Sequence, residues 1–195
     1  MAEIDAAALE LAANAVYREG KSVIEVANTF DMSDMMRAFI NQRQKMLKLL
    51  AGLTEAQVNY NPDTESYSLS EIFTHVIAAQ GNTYNAFIDI SESTRPHIDP
   101  VPREAGGGAE KGETAARLVV ELDQVTRDLQ QLIDETYDPV RDEHHVKIAG
   151  FGEMNQKAFL LLQLLHDDDH FRQARTTRRS RLFPKSGRTA ALPPL

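Results

Sequence analysis

The sequence contains no cysteine. That excludes disulfides, thiolate metal sites and a cysteine nucleophile. It also fits a reducing compartment, so a cytoplasmic location is the expectation. No run approaches the roughly 20 apolar residues a helix needs to cross a bilayer, so no membrane partner is expected. The first residues lack a basic region followed by an apolar stretch, and nothing there resembles a secretory signal. Positive charge is in the minority, with 21 Lys and Arg against 29 Asp and Glu and a formal net charge of −8. Broad nucleic-acid binding relies on neutralising phosphates, so no nucleic-acid partner is expected.

What is present fits one domain. The 195 residues, 42% hydrophobic and 26% charged, suffice for a single core and do not demand two. Four long segments carry helical periodicity and none shows convincing strand alternation, which predicts an all-α bundle. The first runs from about Asp31 to Leu53, with Met36, Phe39, Ile40, Leu47 and Leu50 near one face. Asn61-Pro62-Asp63 then favours a turn. Ser68-Leu69-Ser70-Glu71 is a capping-box pattern, and the helix it opens should reach about Ile90. The third runs from about Glu113 to Thr136, on a stripe of Leu118, Leu122, Val125, Leu129 and Leu132. The fourth extends from about Glu153 to Arg179. Its middle, Phe159 to Leu165, is apolar nearly all round except for Gln163, so it needs cover on every side. That cover is expected from the other helices and from a second subunit, making the chain a homodimer.

Outside these segments, residues 1–30 form an N-terminal helical extension, with an amphipathic stretch ending near Gly20 and a second capping box at Ser22-Val23-Ile24-Glu25. Residues 31–181 hold the bundle, and 182–195 read as an extended tail. Ser91 to Gly112, with three prolines and three consecutive glycines, predicts a long crossover between the second and third bundle helices. A link of that length points to a functional loop or to parallel neighbouring helices.

Chemistry concentrates in His166-Asp167-Asp168-Asp169-His170. Residues four apart share a helical face, so both imidazoles can reach one ion. With 6 histidines in 195 positions, about 0.2 such pairs arise by chance, so the spacing alone is weak. His75 strengthens it, because it sits beside Ile72, Val76 and Ala79 on or near a buried stripe, and a buried imidazole needs a partner. Three neutral imidazoles suit zinc or nickel and leave a coordination position open.

The motifs resemble the DinB-like (YfiT-related) superfamily of bacterial metal-binding four-helix bundles. Leu53-Thr54-Glu55-Ala56-Gln57 with Asn61-Pro62 is similar to that family's turn after its first helix. Tyr67-Ser68-Leu69-Ser70-Glu71, with His75 four residues on, is similar to its second-helix start and first metal histidine. Phe151-Gly152-Glu153-Met154 resembles the start of its last helix. His166-x-x-x-His170, with Gln173 three further, matches its second and third metal histidines and a trailing glutamine. The resemblance spans roughly residues 33–180. It implies a divalent-metal site of His75, His166 and His170, and a small-molecule substrate. It further implies the class of thiol-dependent transferases and isomerases that use low-molecular-weight thiols, with a hydrolase also in view. A non-catalytic metal-binding homodimer and a small-ligand binding module are the rivals.

There are departures from the family pattern. Tyr67 stands where the family usually has tryptophan, expected in a similar apolar slot, and Phe171-Arg172 replaces arginine-glycine before Gln173. Among neighbouring residues, Asp169 is best placed to orient an imidazole, and Gln173 or Tyr84 to orient a bound group. Asp167 and Asp168 read as a solvated patch, and His97, His144 and His145 as surface residues. Arg172 to Arg188 hold seven basic residues and no acidic ones. They suit either an anion or the carbonyl ends of a helix.

Overall fold

Side-chain oxygens placed just ahead of apolar-periodic runs set where the helices begin. In a computed structural model describing residues 4–63, 66–92, 113–148 and 151–185, Asp5 caps α1 (Ala6–Tyr17) and Ser22 caps α2 (Val23–Ala27). The helix α3 (Met32–Leu50) follows. Thr54 and Gln57 form a capping box on the short α4 (Glu55–Val58). Ser68 and Glu71 exchange the two bonds of a capping box at the start of α5 (Leu69–Glu92). Thr114 caps α6 (Ala115–Thr136), and Asn155 caps α7 (Gln156–Arg179).

The helices α3 and α5 each pack against both α6 and α7, which makes a four-helix bundle with α3 and α5 on one diagonal. Two apolar clusters give the directions. One joins Phe39 of α3, Phe87 and Ile90 of α5, Leu129 and Ile133 of α6, and Leu160 and Leu161 of α7. The other joins Leu50 of α3, Leu69 and Phe73 of α5, Leu118 and Leu122 of α6, and Ala174 of α7. Hence α5 and α6 run parallel as neighbours, as do α3 and α7. Parallel neighbours need a link that returns along the bundle, about 36 Å for a 24-residue helix. This explains the long crossover, of which residues 93–112 lie outside the described residues.

Three expectations change. Val146–Ile148 and Gly152–Met154 pair as a small antiparallel hairpin, so α7 starts at Gln156 and not near Glu153. Strands of three residues are too short to show alternation. Tyr67 is 62% exposed and fills no apolar slot. The all-round apolar middle of α7 is covered within the chain, because α1, α2, α3, α5 and the second strand all pack on it. The reason given for a second subunit is therefore met intramolecularly.

Between the two apolar clusters the bundle holds a buried polar layer. Gln42, Arg43, Gln80, Thr83, Gln163 and Asp167 are all shielded from solvent there. Burying such groups is costly unless they are hydrogen-bonded. Here Arg43 and Gln163 donate to Asp167, Thr83 to Gln163 and Gln80 to the Val125 carbonyl, and this layer borders the histidines.

Candidate metal centre

The capping box at Ser68 fixes the phase of α5, so that buried Ile72 and Val76 flank half-buried His75. Across the bundle, α7 presents His166 and His170 one turn apart. The Nε2 of His166 lies 3.1 Å from the Nε2 of His75 and 3.1 Å from the Nε2 of His170. One ligand atom from each of the three falls within 4.8 Å of the others. The structure thus brings together the three histidines singled out from the sequence.

Protons alone do not satisfy this arrangement. Asp169 accepts a hydrogen bond from Gln173 Nε2 at 3.0 Å, which turns Gln173 Oε1 towards His170 Nδ1, also at 3.0 Å. A carboxylate only accepts, so the amide orientation is fixed and His170 carries its proton on Nδ1. Its Nε2 therefore offers a lone pair to the cluster. A single proton on His166 Nε2 points well at only one of two neighbours, whereas a cation satisfies three lone pairs together. Nitrogens bound to one ion at about 2.0–2.1 Å stand about 2.9–3.4 Å apart for angles from square to tetrahedral. The two spacings of 3.1 Å, His75–His166 and His166–His170, fall in that window, and the three ligand atoms all lie within 4.8 Å of one another.

Asp169 and Gln173 thus act in series on His170, and Gln173 orients an imidazole instead of a bound group. Tyr84 packs against the apolar cluster. Such outer partners typically contribute 10–100-fold to metal affinity. Replacing the exposed Gln173 with alanine should weaken metal binding by about that factor without changing stoichiometry at saturation. Competition against a chromophoric chelator measures it.

Asp167 overturns its expected place in a solvated patch. Its side chain has no exposure, and Arg43 of α3 grips it with Nε 2.6 Å from one oxygen and Nη2 3.1 Å from the other. Gln163 Nε2 donates to it at 2.8 Å and itself accepts from Thr83. Burial pushes this carboxyl up, but Arg43, with help from His166 and Gln163, outweighs it and holds the carboxyl below the ordinary 3.8. The missed signal was Arg43 itself, at a core position between Phe39 and Met46. Asp168, one residue round the helix, pairs with exposed Arg172 at 2.7 Å. His144 and His145 stay outside the cluster, His145 near Glu153 and the Asp142 carbonyl. His97 lies outside the described residues.

Burial, reinforced by His166 and His75, lowers the pKa of His170 from 6.5 to about 4. The unfolded chain therefore takes up this proton at a pH where the folded chain refuses it. Stability should be level above about pH 6.5 and fall with acid towards pH 4. Thermal denaturation of the chelated protein across that range tests this, and a flat profile contradicts it.

A cavity of about 430 Å³ opens beside the cluster between α1 and α7. Glu10, Asn14 and Tyr17 line it from α1, Arg18 from the residue that caps that helix, and His166, Asp168, Asp169 and Arg172 from α7. Fold and site together define a helical bundle with a three-histidine cluster able to hold a metal ion. The model for the DinB superfamily matches residues 38–174, and the chain belongs to that superfamily. The match takes in all three histidines and leaves α1 and α2 outside. Comparison with curated proteins gave no match.

Proposed function

We propose that the chain is a divalent-metal-dependent enzyme, with His75, His166 and His170 as ligands and zinc or nickel as the ion. The observation that carries this reading is the convergence of three Nε2 atoms, one of them with its tautomer fixed by the Asp169–Gln173 pair. Three protein ligands leave room for a fourth, the arrangement of catalytic sites and not of closed structural ones. When bound, the metal would lower the pKa of a thiol or water at that fourth position.

The protein's own groups define what else the site does. Burial and the neighbouring imidazoles lower the pKa of His170 to about 4, which favours the neutral form that ligation requires. Asp169 and Gln173 hold its ring in place. The cavity beside His166 carries Arg18 and Arg172 next to Asp168 and Asp169, which suits a small polar substrate bearing charge. Arg172, where the family pattern has glycine, narrows this approach. Since the chain has no cysteine, a thiol-transfer or isomerase reaction would draw its thiol from a low-molecular-weight cosubstrate. Hydrolysis at the same position is the other reaction the site supports.

Elemental analysis of untagged protein, followed by a panel of small thiols with electrophilic acceptors, tests this reading. About one ion per chain and turnover that chelation abolishes are expected. Protein that binds no metal when offered zinc and nickel contradicts it.

A further inference from the structure

A second cavity, also about 430 Å³, lies at the far end of the bundle where the parallel helices α3 and α7 finish side by side. Its polar lining is entirely cationic: Lys45, Lys48, Arg175, Arg178 and Arg179. Leu49 and Phe171 provide its apolar part. Neither 41–50 nor 170–185 contains an Asp or Glu, in a chain whose net charge is −8. Among the described residues, the ion pair at this end of α7 is made by Arg172, which is not part of the lining.

Helix ends account for part of this charge. Lys48 lies in the last turn of α3, and Arg178 and Arg179 lie in the last turn of α7. Arg178 donates to the Leu49 carbonyl at 2.8 Å, as a cation capping a carbonyl end should. The remainder is too large for that explanation. Each helix terminus carries about half a negative charge, so two supply about −1, and the effect fades beyond the last turn. Lys45 and Arg175 lie outside the last turns, and five positive charges face that sum. Like charges held together at this excess attract a counter-anion.

We propose that this groove binds a small phosphate monoester. The dianionic phosphate is held by Lys45, Lys48 and the arginines, and the ester's apolar body lies against Leu49 and Phe171. Guanidinium groups match the oxygens of phosphate in paired hydrogen bonds, and the ammonium groups add point charge. The volume lies in the range of small-ligand pockets. The site is built from different side chains than the histidine cluster and does not depend on a metal there.

Titration of the full-length protein with phenyl phosphate, followed by backbone amide shifts, tests the proposal. Saturable one-to-one binding is expected, with a dissociation constant below about 1 mM. The shifts should centre on residues 45–49 and 171–179, and inorganic phosphate should bind the same residues more weakly. Lys45→Gln and Arg175→Gln change exposed side chains and should each weaken binding about fivefold to tenfold. His166→Ala and Arg127→Gln should leave it unchanged. Shifts centred on His75 and His166, absence of saturation, or indifference to the Lys45 and Arg175 variants would overturn the proposal. Tighter binding of a single-stranded oligonucleotide that displaces phenyl phosphate would overturn it as well, assigning the groove to a polymer backbone.

Discussion

Replacing His166 with alanine should abolish stoichiometric metal binding while leaving the helical circular dichroism spectrum unchanged. His166 is the choice because its Nε2 lies 3.1 Å from both other Nε2 atoms and so stands between the two other ligands. The fold should survive, because the apolar clusters on either side of the site do not include the imidazole. A bundle of this size buries enough surface to fold without a metal, unlike a zinc finger. Chelation of the natural chain should therefore lower its melting temperature by mass action without unfolding it at 25 °C. Metal analysis and circular dichroism on the same samples decide the matter. If chelation alone collapses the helical signal, the metal is structural and the enzyme reading loses its support.

The larger stability effect belongs to the other side of the polar layer. Replacing Arg43 with methionine should cost about 3–5 kcal/mol, because it leaves the Asp167 carboxylate buried without its counter-charge. For a chain of this length that lowers the melting temperature by about 10 °C. Converting Asp167 to leucine as well should recover most of the loss, since the partner's unpaired charge, more than the missing attraction, sets the penalty. Thermal melts of the single and double variants separate these cases. A single variant that melts with the natural chain would show the pair to be solvated. Acid distinguishes this pair from the histidines. With its carboxyl held below 3.8, Asp167 contributes fully above that value and loses its contribution only below it. Destabilisation between pH 6.5 and 4 is the change expected of His170 and not of this pair.

Much of the bundle was legible in the residues. Stripes such as Leu118, Leu122, Leu129 and Leu132 repeat at helical spacing because only one face of each helix meets the core, and all four are buried. Caps such as Ser68 with Glu71 were readable because they act within one turn. His166 and His170 were readable together for the same reason. The hairpin at Val146–Ile148 was not, because a three-residue strand leaves no period to detect.

The sequence by itself determined the local order: which segments coil, where they start, and which histidines share a helical face. Tertiary structure alone decided what crosses between helices. It set His75 against His166, joined Arg43 to an aspartate 124 residues away, and aligned the ends of α3 and α7 so that their cations share one groove. The physical reason is one of range. Periodicity and capping act within a few residues, whereas the meeting of two side chains on different helices depends on the packing of every face between them.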